Sequence, residues 1–155
     1  MKYIKKFENK EPEKILTYYS NNKVKSIVYK LNGQKHREDG PAIQEWYEDE
    51  QKFIEEYFIK NEYHREDGPA IQEWHENGKV FRQLYYLHDK MHREDGPAAI
   101  YYKKNGKIGN TIYCLNDIRY NREEWIEKLK EMDSPHYEEQ KKLYELEQDM
   151  EKYNL

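Results

Sequence analysis

The chain has 155 residues, 37% charged and 36% apolar, with a formal net charge of -4. So much charge excludes a thick compact core, while 16 Tyr, 3 Trp and 4 Phe exclude disorder, because disordered chains are poor in aromatics. Residues 121–155 hold 6 Lys/Arg against 11 Asp/Glu and the first 120 hold 21 against 20, so the basic patch of a nucleic-acid binder is missing.

Residues 1–14 read as an N-terminal cap. From 15 to 120 the chain repeats every 28 residues. The heptapeptide HREDGPA stands at 36–42, 64–70 and 92–98, and further columns share its period. Tyr18, Trp46, Trp74 and Tyr102 form one; Tyr29, Tyr57, Tyr85 and Tyr113 another; Leu31, Ile59, Leu87 and Leu115 a third. About four units result, with worn outer copies, as the ends of a stacked array should look. ENKEPEK replaces the signature at 8–14 and YNREEWI at 120–126.

Within the unit starting at Gly68, Asn77-Gly78 is a strong two-residue hairpin signal and His88-Asp89 a weaker one, with Asn32-Gly33 a strong one at the equivalent place in the first unit. Between them the residues alternate: Ala70, Gln72 and Trp74 against Ile71, Glu73 and His75. Period two predicts strands. Each unit then holds two strands and two tight turns, with the signature on the longer strand. The expectation is a single-layer antiparallel meander of about four 28-residue hairpin repeats, roughly eight strands, closed by a helical tail: mainly β with C-terminal helices, α+β. The aromatic columns, two strands or ~10 Å apart, would form ladders.

In the tail, Asn121 with Glu124 is a capping-box start, and Trp125, Leu129 and Met132 share a helical face. A break at 133–135 starts a second helix, with Ser134 as N-cap and Pro135 first inside. Leu143, Leu146, Met150 and Tyr153 then follow a 3-4-3 spacing and are the candidates for a partner helix face. The helices either cover the last strand edge or pack on a partner or a second copy.

Asp39-Gly40-Pro41 and its copies read as a kink that re-aims the strand, since Pro lacks the N–H and Gly supplies backbone freedom. Arg37 and Glu38 can pair with charges on neighbouring strands. No metal site is expected, because His36, His64 and His92 stand ~10 Å apart while zinc bonds are ~2.0–2.1 Å. No catalytic residue is expected either: Cys114 has Tyr120 in the column of the signature histidines, and no base is marked for it. One cysteine excludes an intrachain disulfide and fits a reducing compartment. Residues 1–10 lack the ~7–15-residue apolar run of a signal peptide, and no stretch reaches the ~20 apolar residues of a membrane span. The expected location is cytoplasmic.

The HREDGPA repeat, with Trp or Tyr before Asn-Gly and YxL before the second turn, resembles a MORN-like β-repeat family of the HRxDGPA type. That family occurs in large DNA viruses and phages and is related to antitoxin-like MORN-variant proteins of bacteria. The resemblance covers residues 15 to about 125 and implies a scaffold for binding; YCLNDIRYNREEW at 113–125 is similar to the ending of such arrays. If the chain is viral, the resemblance implies a host factor as partner and the host cytoplasm as location.

The leading expectation is a non-enzymatic protein-interaction module without cofactor. Its candidate binding residues are His36, Arg37, Glu38, His64, Arg65, Glu66, His92, Arg93 and Glu94, with Trp46, Trp74 and Tyr102. One alternative is a binder of a small anionic or nucleotide ligand, held by Arg37, Arg65 and Arg93 beside aromatics. The other, by analogy with MORN proteins, is a membrane-surface scaffold. A homodimer through a sheet edge or the C-terminal helix is a further partner expectation.

Overall fold

The computed structural model describes residues 11–153, so most of the expected N-terminal cap lies outside the described residues. β1 (Glu13–Tyr18) pairs with β2 (Val24–Leu31), whose far end turns back as β3 (Gln34–Lys35). β4 (Ile43–Trp46) and β5 (Lys52–Glu56) are followed by a small hairpin, β6 (Phe58–Ile59) with β7 (Glu62–Tyr63). The set recurs as β8 (Ile71–Trp74), β9 (Val80–Leu84), β10 (Tyr86–Leu87) and β11 (Lys90–Met91). It begins again as β12 (Ala99–Tyr102), β13 (Ile108–Leu115) and β14 (Ile118–Tyr120), before helices α1 (Arg122–Glu131) and α2 (Tyr137–Tyr153). One antiparallel sheet runs in the order β1-β2-β4-β5-β8-β9-β12-β13-β14, with β3 beside β2. The fold is mainly antiparallel β with C-terminal helices, α+β.

The expected alternation sorts the strand residues onto two faces. Ile71, Leu84 and Ala99 are cross-strand neighbours and form a small core with Tyr63, Tyr86 and Met91 of the small hairpins. Next in register, Gln72 and Gln83 point the other way, and Gln83 Nε2 donates to Gln72 Oε1 at 2.8 Å. Ala42, Ile43 and Phe58 form a second core, and Leu115 with α1 a third. Strung-out cores of this size suit a chain with 36% apolar residues.

Two expectations about local structure are corrected. The signature does not lie on a strand. The chain leaves the sheet at Tyr57 and Tyr85, makes the small hairpin, and returns through the signature as a loop. A middle unit therefore has four strands, two long and two short. The cause is a diversion of backbone bonds: the Tyr57 N–H goes to the Ala70 carbonyl (2.8 Å), and the His64 N–H to the Tyr57 carbonyl (3.1 Å).

One turn also differs in type from the expectation. At Asn77-Gly78 only Gly78 has positive φ (+74°), and the His75 N–H reaches the Lys79 carbonyl across three residues. This is a type I turn closed by a left-handed residue, with Asn77 Oδ1 accepting from the Lys79 N–H. Two-residue turns form as expected at Asn32-Gly33 and His88-Asp89, and also at Lys60-Asn61 and Asn116-Asp117; in all four both residues have positive φ, as type I′ requires.

α1 begins as expected. Asn121 Oδ1 accepts from the Glu124 N–H, and Glu124 returns the bond to the Asn121 N–H. Trp125, Ile126 and Leu129 are buried against Leu115, Tyr113 and Tyr120, so the helix closes the last hairpin. Ser134 Oγ accepts from the His136 N–H, but regular helix starts at Tyr137, two residues later than Pro135.

Candidate interaction surface

Each letter of the signature has a physical task, and the tasks repeat in all three copies. His Nδ1 accepts a backbone N–H from the next small hairpin: His36 from Lys60 (3.3 Å), His64 from His88 (3.3 Å), His92 from Asn116 (3.2 Å). The neutral ring therefore carries its proton on Nε2, facing Glu38 at 3.5 Å, Glu66 at 3.7 Å and Glu94 at 3.1 Å. The histidines are clamps between units.

Arg37, Arg65 and Arg93 fold back over Tyr29, Tyr57 and Tyr85, with guanidinium carbons 4.1, 4.0 and 3.8 Å from the ring centres. Each Nε donates to the Asp two residues on, at 2.6–2.8 Å. Each NH1 also reaches the Pro carbonyl at 3.3–3.4 Å. The expected cross-strand pairing of these arginines is thus replaced by pairing inside their own loop. The tyrosine column is likewise no ladder of stacked rings, because arginine occupies the space over three of them. Over the fourth, Tyr113, lies Trp125 at 4.8 Å. The arginine bond holds Asp39, Asp67 and Asp95 below the ordinary aspartate value, and burial raises Tyr57 and Tyr85.

Glycine follows from arginine. A Cβ on Gly40, Gly68 or Gly96 would stand 3.1, 3.0 or 3.3 Å from the guanidinium carbon. None of the three has positive φ, so close approach, rather than backbone freedom, requires glycine there. Ala42, Ala70 and Ala98 are fully buried, and their carbonyls take the tyrosine N–H groups.

What remains outward is Glu and Asp. Glu38, Asp39, Glu66 and Asp67 are 82–84% exposed, whereas the three arginines are 19–25% exposed. Between the first and second loops lies an open groove of about 680 Å³, floored by Tyr57 and Ile59. Between the second and third lies its copy of about 590 Å³, floored by Tyr85 and Leu87, with His136 on its rim.

Trp46, Trp74 and Tyr102 are not on this face. They border the open sheet face with the glutamines: Lys52 Nζ lies 5.4 Å from the Trp74 ring centre, and Tyr102 OH donates to Gln83. No two members of that column form an aromatic pair among the described residues. Their carbonyls bind the preceding unit instead, from Tyr19 OH to Trp46 (2.7 Å) and Tyr47 OH to Trp74 (2.9 Å). In the tail, Leu143, Leu146, Met150 and Tyr153 are 42–62% exposed, while Tyr144 packs inward and Gln140 Nε2 donates to the Asp95 carbonyl.

Sequence reasoning missed Asp39, Asp67 and Asp95 as partners of arginine, and Asn61, Asp89 and Asp117 as clamps. The side chains of the latter three accept the N–H of Lys35, Tyr63 and Met91 at 2.6–2.7 Å. The signal was present as a column of the 28-residue period. Compared with protein-family models, curated proteins and solved structures, the chain matches none.

Proposed function

We propose that this chain is a non-enzymatic interaction module: four 28-residue MORN-like units over 15–120, between a cap at 1–14 and an acidic helical tail at 121–155. It presents the signature face to a protein partner. The observation that supports this most is the division of labour within HREDGPA. His, Arg, Asp, Gly, Pro and Ala are consumed in locking the loop, and Glu38 and Glu66 are left facing solvent, while Glu94 is 27% exposed against His92. Two neighbouring grooves with matching sets of lining residues are a surface suited to binding.

Anionic ligands are poorly served by the same geometry. Each arginine already holds an Asp, and a phosphate or carboxylate would have to displace it while facing exposed Glu. An anionic membrane surface would meet the same carboxylates, and no helix among the described residues is long and apolar enough to cross a membrane.

The reading is tested by placing a photo-crosslinking residue at Glu66, on the groove rim, or at Glu76, on a hairpin turn away from the signature, and exposing each protein to extract. A discrete product from position 66 and none from 76 is expected. Equal products from both, or none from 66, overturns the proposal.

A further inference from the structure

We infer that the partner segment read by these grooves is an extended, basic polypeptide carrying Lys or Arg at every third residue. This rests on the interaction-module reading and adds the partner's chemistry and spacing. Each groove is bordered by two arginines and four carboxylates: Arg37 and Arg65 with Glu38, Asp39, Glu66 and Asp67 in one, and the same set one unit later in the other. The arginines are covered and committed to Asp, so the outward charge is that of Glu38 and Glu66, with Glu94 27% exposed and bonded to His92. The floor is one tyrosine and one aliphatic side chain. A lysine or arginine fits both parts, its methylene stem on Ile59 or Leu87, since an arginine already covers a face of the tyrosine, and its head among the carboxylates.

Spacing selects the backbone. Equivalent points on the array are two strands apart, ~10 Å at ~4.8 Å per strand. Three residues of a polyproline II helix cover ~9 Å and, at three residues per turn, bring the side chain back to the same side. In a β-strand residues i and i+3 point to opposite faces and i and i+2 reach only ~7 Å, while an α-helix needs seven residues for ~10.5 Å. The two grooves therefore match cationic side chains at i and i+3 of a polyproline II segment lying across the strands. Past the second groove, Gln140 of α2 bonds the third loop and His136 stands on the rim, so the row closes at its tail end.

The test uses the full chain and two fluorescent nine-residue peptides of identical composition. One has Lys at positions 2, 5 and 8, the other at 4, 5 and 6, with Ser and Pro elsewhere. Anisotropy titrations at low salt are expected to show the spaced peptide binding at least tenfold more tightly than the clustered one. Glu38→Gln, Glu66→Gln and Glu94→Gln together, which keep an acceptor for each His Nε2, should remove that preference without lowering the urea midpoint. Equal binding of the two peptides, or a preference that survives in the triple variant, overturns the inference. If neither peptide binds while position 66 still gives its cross-linked product, the basic segment is wrong and the interaction reading stands.

Discussion

Arg65 is held by the Tyr57 ring below it, Asp67 at Nε and the Pro69 carbonyl at NH1, and a Cβ on Gly68 would stand 3.0 Å from its guanidinium carbon. Gly68→Ala is therefore an overpacking change, expected to cost about 1–3 kcal/mol in urea unfolding. The same change in an Arg65→Ala background should cost almost nothing, because the atoms it collides with are gone; a full cost in both backgrounds would refute the contact. The paired aspartates carry a pH dependence. Their folded values lie below the unfolded one, so near pH 4 the unfolded chain binds more protons, and stability rises with pH. That contribution is complete above the unfolded value of about 3.9 and is lost as pH falls through the folded values. The urea midpoint of the native chain should therefore fall between about pH 5 and pH 3. Asp39→Asn, Asp67→Asn and Asp95→Asn together should flatten that fall.

At the scale of elements, the units are joined by the small hairpins as much as by the sheet. His64→Ala removes the acceptor of the exposed His88 N–H and is expected to cost about 0.5–1.5 kcal/mol, read from the urea midpoint. Trp125→Ala opens the end of the array. Trp125 is fully buried, and its indole N–H reaches the Arg93 carbonyl at 3.3 Å, so a loss of about 3–5 kcal/mol is expected. Hydrogen exchange should then quicken in β13 and β14 before β4 and β5. The period-two pattern that names these strands was legible, because Ile71 and Gln72 announce opposite faces by their own polarity. So was the start of α1, whose cap is made within four residues. Asn32-Gly33 and His88-Asp89 were legible as two-residue turns, but the longer turn at Asn77-Gly78 was not. Nor was the support from outside the turn: Asn61, Asp89 and Asp117 each bond a backbone group 26 residues earlier. No local propensity reports such a bond. Gly33 occupies the same column without a side chain to clamp with.

For the whole molecule, the bonds that repeat between units span 24 to 27 residues, so each unit touches mainly its neighbours. Stability should then behave as a sum of units and junctions. Deleting residues 64–91 joins Tyr63 to His92 with every column in register. The shortened chain is expected to unfold in one cooperative transition with a lower urea midpoint; loss of cooperative unfolding would refute the modular reading. The signature face was legible in part. Its three copies are plain in the sequence, but their outward chemistry was misjudged, because the fold-back of arginine onto tyrosine eight residues earlier hides the positive charge and leaves the negative. The cap's seat has one more implication. Trp125 and Gln140 dock on backbone carbonyls of the third signature, Arg93 and Asp95, and every signature offers equivalent carbonyls. At the level of the gene, an in-frame duplication of one repeat would lengthen the coding sequence and still deliver an end that the same tail closes, so copy number is a trait that recombination can vary without inventing new residues.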